Sequence, residues 1–143
     1  MRLAAAIFVA IHGLGHIVWF FSTWMPVALG TEGRAQLETH REDLLVEPKG
    51  PGGKAVGILS LAAIVGFGAT AWGIWTEAPW WPPLLIGSSM ASLLVIFSMW
   101  NPIKAPGPVP ISIRALLANV GLVAATLMPW GDRILGAHST RRW

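Results

Sequence analysis

The 143-residue sequence contains no cysteine and no tyrosine. Without cysteine there are no disulfides, no thiolate catalysis and no iron–sulfur cluster. Charge is scarce too. Asp, Glu, Lys and Arg make up 12% of the chain, about half the quarter usual in soluble domains. The net charge of +3 is small and spread thinly. No basic footprint of the kind that holds phosphates is present, which sets nucleic acid aside as a partner. The space is taken by apolar side chains at 54%, and the 16 glycines bring that share to about 65%, against roughly 45–50% in an average soluble domain. Such a composition excludes a disordered chain and argues against an ordinary water-soluble enzyme. The length fits a single domain over residues 1–143.

The positions without charge are the most informative. No charged residue falls between Arg2 and Glu32, between Lys54 and Glu77, between Glu77 and Lys104, or between Arg114 and Asp132. A hydrocarbon slab about 30 Å thick takes around 20 apolar helical residues to cross. Four stretches meet that need: residues 3–25, 55–76, 83–100 and 113–130. In lipid every backbone amide must be satisfied within its own segment, so these stretches are expected as helices. None has the polar face that a soluble amphipathic helix requires. The expected fold is therefore all-α, an integral membrane four-helix bundle. The first stretch starts like a secretory signal, but His12 and His16 interrupt it and it exceeds the usual 7–15 apolar residues, so it reads as a retained crossing.

Tryptophan supports the same threading, because indoles collect at the headgroup level. Trp72, Trp75, Trp80 and Trp81 bracket the second turn, with Trp130 at the same face. Trp24 and Trp100 mark the opposite face, and Trp19 lies deeper. Four crossings place both termini on one side with Arg2, Arg133, Arg141 and Arg142. Arg34, Arg41, Lys49, Lys54, Lys104 and Arg114 fall on the other. By a narrow margin, the positive-inside rule puts the two long loops in the cytoplasm and both termini outside, for a multi-pass protein of the cell inner (plasma) membrane.

The polar loop 26–54 is the one sizeable hydrophilic segment. Its middle, residues 32–47, mixes acids and bases with Leu37, Leu44 and Leu45. It reads either as a helix lying on the membrane surface, N-capped by Thr31, or as a solvated loop. The run from Pro48 to Gly53 breaks any helix before the second crossing. The turn 77–83 is short, so the helices on either side should be antiparallel neighbours. The prolines at 102, 106, 108 and 110 make the last link extended and stiff. Small residues recur at helix-contact spacing: Ala62, Gly66, Thr70 and Gly73 in the second crossing, Gly87 and Ala91 with Ser88 and Ser92 in the third, Gly121 and Ala125 in the fourth. Small residues let helix backbones approach in lipid, so these stripes serve packing within the bundle or against a partner.

His12 and His16 are the anomaly. They fall near the middle of the first crossing, and a spacing of four places both on one helix face. Polar groups at that depth are costly and usually face the bundle interior. Asn119, near the middle of the fourth crossing, and Ser88, Ser89 and Ser92 of the third are the companions on offer. Three readings compete. The imidazoles hydrogen-bond across helices and fix the packing. Or they bind copper, zinc or haem. Or they relay protons or hold a quinone carbonyl, with His12, His16, Asn119 and Ser92 as the binding set. The metal reading has no Asp, Glu or Cys in the slab to complete a shell. Met90, Met99 and Met128 would assist only a soft ion such as Cu(I), and two histidines on one helix face do not clamp a haem from both sides. His40 and His138 lie in polar segments and read as solvated. Arg114 opens the fourth crossing and snorkels to the headgroups.

The segment Ile11-His12-Gly13-Leu14-Gly15-His16-Ile17-Val18-Trp19-Phe20, with Ala55 to Gly57, Trp100, Lys104, Ala118 and Asn119, resembles a group of small bacterial four-helix membrane proteins of unknown function. That group carries an HGLxH motif in its first helix. The resemblance covers most of residues 1–130 and implies the four-helix membrane fold, while supplying no reaction. Trp19 stands where that group tends to have glycine, and the prolines at 106, 108 and 110 lengthen the last loop. Two functional classes follow. One is a non-catalytic accessory or structural subunit, without a cofactor, packed against other membrane subunits or itself in the lipid bilayer. The other is a His-dependent haem-, metal- or quinone-binding redox protein. No enzymatic motif is present to decide between them.

Overall fold

The computed structural model describes residues 2–24, 31, 32, 35, 46, 47, 50–98 and 110–127. The described elements are all helical: α1 (Arg2–Leu14), α2 (Ile17–Trp24), α3 (Pro51–Thr76), α4 (Trp81–Ser98) and α5 (Pro110–Leu127). Three segments are long and apolar enough to cross a membrane: Arg2–Phe21 taken through its break, Pro51–Thr76 and Trp81–Ser98. The apolar part of α5, Ala115–Leu127, is shorter.

The first expected crossing is interrupted. At the break, the Gly15 amide is shared between the carbonyls of Ile11 and His12, and the His16 amide donates to the Gly13 carbonyl at 3.1 Å. These are the tighter i→i−3 bonds of a 3₁₀ turn. Two glycines within three residues weaken helix propagation at this point. The chain resumes as α2, with Phe20 donating to the His16 carbonyl at 3.2 Å.

Helix starts follow proline. The run 48–53 does not hold the second crossing back to residue 55, because Pro51 occupies the first helical turn of α3. An amide there has no intrahelical partner, so proline's missing donor costs nothing, and its fixed φ suits the helix. Pro82 and Pro83 likewise sit in the first turn of α4, which starts at Trp81 rather than residue 83. Pro110 opens α5, ahead of residue 113. At the far end of α3, Glu77 adopts the left-handed conformation (φ 59°, ψ 28°) and its amide returns to the Gly73 carbonyl, joined there by that of Ala78 at 2.9 Å.

The central element is α3, with α1 and α2 running antiparallel along it and α4 folded back against it. Three ties fix the first register. Arg2 pairs with Glu77 at one end. In the middle, a Cβ at Gly13 would lie 2.6 Å from Phe67 Cβ. At the other end, Trp24 Nε1 donates to the Lys54 carbonyl at 3.0 Å. Gly66 and Gly73 make the α3–α4 approach: Ser88 sits against Gly66, and a Cβ at Gly73 would fall 2.7 Å from that of Trp81. Between α4 and α5, Asn119 reaches Ser92. Phe67, Ile74, Leu85, Val9 and Trp81 form the apolar centre, with Ala91 and Ala125 packed against it.

Burial departs from that of a water-soluble protein, because large apolar side chains cover the outside while polar ones share the interior with the apolar centre. Inside lie Ser60, Thr70, Ser88, Ser89, Ser92, Asn119 and His16. Outside lie Phe8, Ile11, Val65, Leu94, Leu117 and Val120. Water would drive those apolar faces together, whereas hydrocarbon solvates them at no cost. Most described hydroxyls are satisfied on their own helices: Ser60, Thr70, Ser88 and Thr126 each donate to the carbonyl four residues earlier, at 2.7–2.9 Å.

Several expectations are corrected by packing. Trp81 is buried at 3% exposure and fills the α3–α4 interface instead of joining the girdle. Trp72, Trp75 and Trp80 remain exposed. Ala62 faces outward, off the stripe of Gly66, Thr70 and Gly73. Gly87 and Gly121 are exposed, and a Cβ on either would meet nothing within 4 Å among the described residues. The reason is angular: α4 turns Ser88, Ser89 and Ser92 inward, which rotates Gly87 out. Of the surface-helix segment, Thr31, Glu32 and Ala35 are helical, and Val46 packs on the Val56–Val95 cluster beside Trp19. The remainder of that segment, the proline link 101–109, Trp100 and Trp130 lie outside the described residues.

Candidate functional site

The polar cluster forms where the α1–α2 break, α4 and α5 converge. His16 sits in the break, 4% exposed, and its Nε2 lies 2.7 Å from Ser92 Oγ. Asn119 is fully buried and donates from Nδ2 to Ser92 Oγ at 2.8 Å and to the Ala115 carbonyl at 2.9 Å. The second bond anchors the amide, because only the nitrogen end can donate to a carbonyl. Ser92 thus accepts from Asn119, and its own proton is free for His16 Nε2. In that arrangement the His16 ring carries its hydrogen on Nδ1. Ser92 of α4 thus joins the α1–α2 break to α5.

Phe67 of α3 is the wedge that holds both imidazoles. His12 meets it edge to face, with ring centroids 5.0 Å apart at 83°. His16 lies nearly parallel to it at 6.3 Å and 13°. The two imidazoles stand 6.0 Å apart at 86°, and Phe8 stacks on His12 from the preceding turn at 6.3 Å. Gly13 permits this, since any side chain there would collide with Phe67. His12 is half-buried and neighbours Asn119 without the alignment of a hydrogen bond.

Among the described residues, four buried atoms have no hydrogen-bond partner: His12 Nε2, His16 Nδ1, Asn119 Oδ1 and Ser89 Oγ. Each such orphan costs about 1–3 kcal/mol. Native interiors hold few of them, and here three belong to one cluster.

The sequence-derived set is therefore brought together: His12, His16, Ser92 and Asn119 share one site. Ser88 is occupied on its own helix. Met90 is exposed on the outer surface, away from any role as a soft ligand. His40, His138, Met99 and Met128 lie outside the described residues. Among the described residues no group of three His, Asp or Glu side chains is placed to hold a metal. Sequence reasoning missed Phe67 and the unpartnered state of Ser89. Phe67 carries no signal of its own in the sequence, being one of three aromatics in Pro51–Thr76 with Trp72 and Trp75. Comparison with protein-family models, curated proteins and solved structures finds no match to this chain.

Proposed function

We propose that the chain is a four-crossing integral protein of the inner membrane, with α5 as its fourth crossing, that serves as a non-catalytic accessory subunit packed against other membrane helices. We place it with the small bacterial proteins that share the HGLxH opening. The observation that carries the subunit reading is the pair Gly87 and Gly121. Both present open, small-residue surface to the bilayer, with nothing described within 4 Å of a Cβ. Within the chain, Gly66 and Gly73 are used for close helix contact, so the outward pair is surplus to internal packing and suited to a neighbouring helix. In this reading His16, Ser92 and Asn119 clip α4 and α5 to the first crossing, at about 0.6 kcal/mol per interhelical bond and up to about 2.

The test is affinity purification from native membranes in mild detergent. Co-purifying membrane subunits are expected, and Gly87→Leu with Gly121→Leu should release them without changing the melting temperature of the isolated chain. A chain that remains alone in native membranes, with the double variant indistinguishable, overturns the reading. Metal and haem chemistry at His12 and His16 would need further ligands from a partner. A Soret band or stoichiometric metal that disappears in the His12→Ala, His16→Ala variant would establish that alternative instead.

A further inference from the structure

The unpartnered atoms of the polar cluster share a chemistry. His12 Nε2 donates or accepts according to tautomer, His16 Nδ1 donates in the tautomer that the Ser92 bond selects, and Asn119 Oδ1 accepts. No carboxylate lies near them in the described crossings. A bound cation would thus stand uncompensated at bilayer depth, whereas a neutral hydrogen-bonding molecule would not. The surroundings are aromatic, with Phe67 against both imidazoles and Phe8 against His12. Among the described residues α5 packs on α4 far more than on α1, which leaves a seam between α1 and α5. His12, half-buried, lies on the α1 side of that seam.

We propose that this cluster binds the headgroup of a lipid-soluble quinone, admitted from the bilayer between α1 and α5. A quinone carbonyl accepts from an imidazole N–H. The hydroxyl of the reduced form donates to Asn119 Oδ1 or to an imidazole nitrogen. A donor, an acceptor and one group that switches between the two satisfy both forms without rearranging the helices, and the planar ring lies among Phe67 and Phe8. The inference goes beyond the subunit reading and does not depend on any partner being found.

The full-length chain, reconstituted in phosphatidylcholine nanodiscs, is titrated with a decyl-tailed benzoquinone and with the corresponding naphthoquinone. Two readouts are taken: the melting temperature, and the carbonyl stretch isolated by subtracting spectra of ¹³C-carbonyl and unlabelled quinone. The expected result is a stabilisation that saturates at one quinone per chain, with the carbonyl band moved to lower frequency than in protein-free nanodiscs. A decyl-tailed trimethylbenzene, matched in shape but without carbonyls, should not stabilise. His12→Phe keeps a ring between Phe67 and Phe8 but removes the nitrogen, and it should weaken binding about tenfold or more, the scale of one lost buried hydrogen bond. A carbonyl band identical to that in protein-free bilayers overturns the proposal. Equal stabilisation by the carbonyl-free probe does so too, as does unchanged affinity in the variant. If a variant does not fold, the wild-type spectrum and the carbonyl-free control still decide.

Discussion

Asn119 ties α5 to Ser92 of α4, which in turn meets His16, so its loss should be felt beyond its own helix. Asn119→Leu removes the bonds to Ser92 and Ala115 and leaves the Ser92–His16 pair without its third member. The expected destabilisation is about 1–2 kcal/mol, within the measured range for interhelical bonds in lipid, read from the unfolding midpoint in detergent. Glycines in this protein separate into two kinds, and alanine tells them apart. At Gly13 a Cβ would fall 2.6 Å from Phe67 Cβ, an atom fixed to its backbone, so Gly13→Ala must push α1 off α3 at a cost of about 1–3 kcal/mol. At Gly87 the space is open, so Gly87→Ala should be neutral or stabilise by up to about 1 kcal/mol through helix propensity. Paired thermal melts check the contrast, and equal effects at the two sites would contradict the packing described.

At the scale of the element, the break between α1 and α2 matters most, because it sets where His16 points. Spacing alone put His12 and His16 on one unbroken face. The structure keeps them neighbours but turns His16 through a 3₁₀ step, onto Ser92. Gly15 is exposed, and a Cβ there meets only the His12 carbonyl at 3.2 Å. Gly15→Ala should therefore be much milder than Gly13→Ala, within about 1 kcal/mol of wild type. Three of the four apolar windows were legible as long apolar helices, because a long gap between charges in an apolar run leaves little else to form; the fourth is helical, but its apolar part, Ala115–Leu127, is shorter. Helix starts were not, since proline was read as a barrier at 51 and 82–83, where its missing amide suits the first turn. The polar partners were legible because an amide, serines and histidines at bilayer depth have few places to go. Phe67 was not, because an aromatic within an apolar helix announces neither its depth nor its neighbours. Trp81 was misplaced for the converse reason: tryptophan near a turn satisfies either the headgroup layer or a gap beside a glycine, and Gly73 supplies that gap.

For the whole molecule, the ties Arg2–Glu77 and Trp24–Lys54 put the start of α1 and the end of α3 at one end of the helix pair, and the end of α2 with the start of α3 at the other. Single cysteines at Glu77 and Lys54 should then label from opposite sides with a membrane-impermeant maleimide, and a reporter fused at the C-terminus should signal from the outer, periplasmic side. Labelling of both positions from one side would refute the antiparallel threading, and a cytoplasmic reporter signal would invert the orientation. The arrangement of α5 also bears on how the protein is made. A ribosome releases the chain from its N-terminus, and early segments associate while later ones are still being synthesised. α1 to α4 can pack around α3 before α5 exists, and Ser92 can already meet His16. The Asn119 amide reaches Ser92 only once α5 arrives, so the bond that ties α5 to the cluster comes late in the order of synthesis.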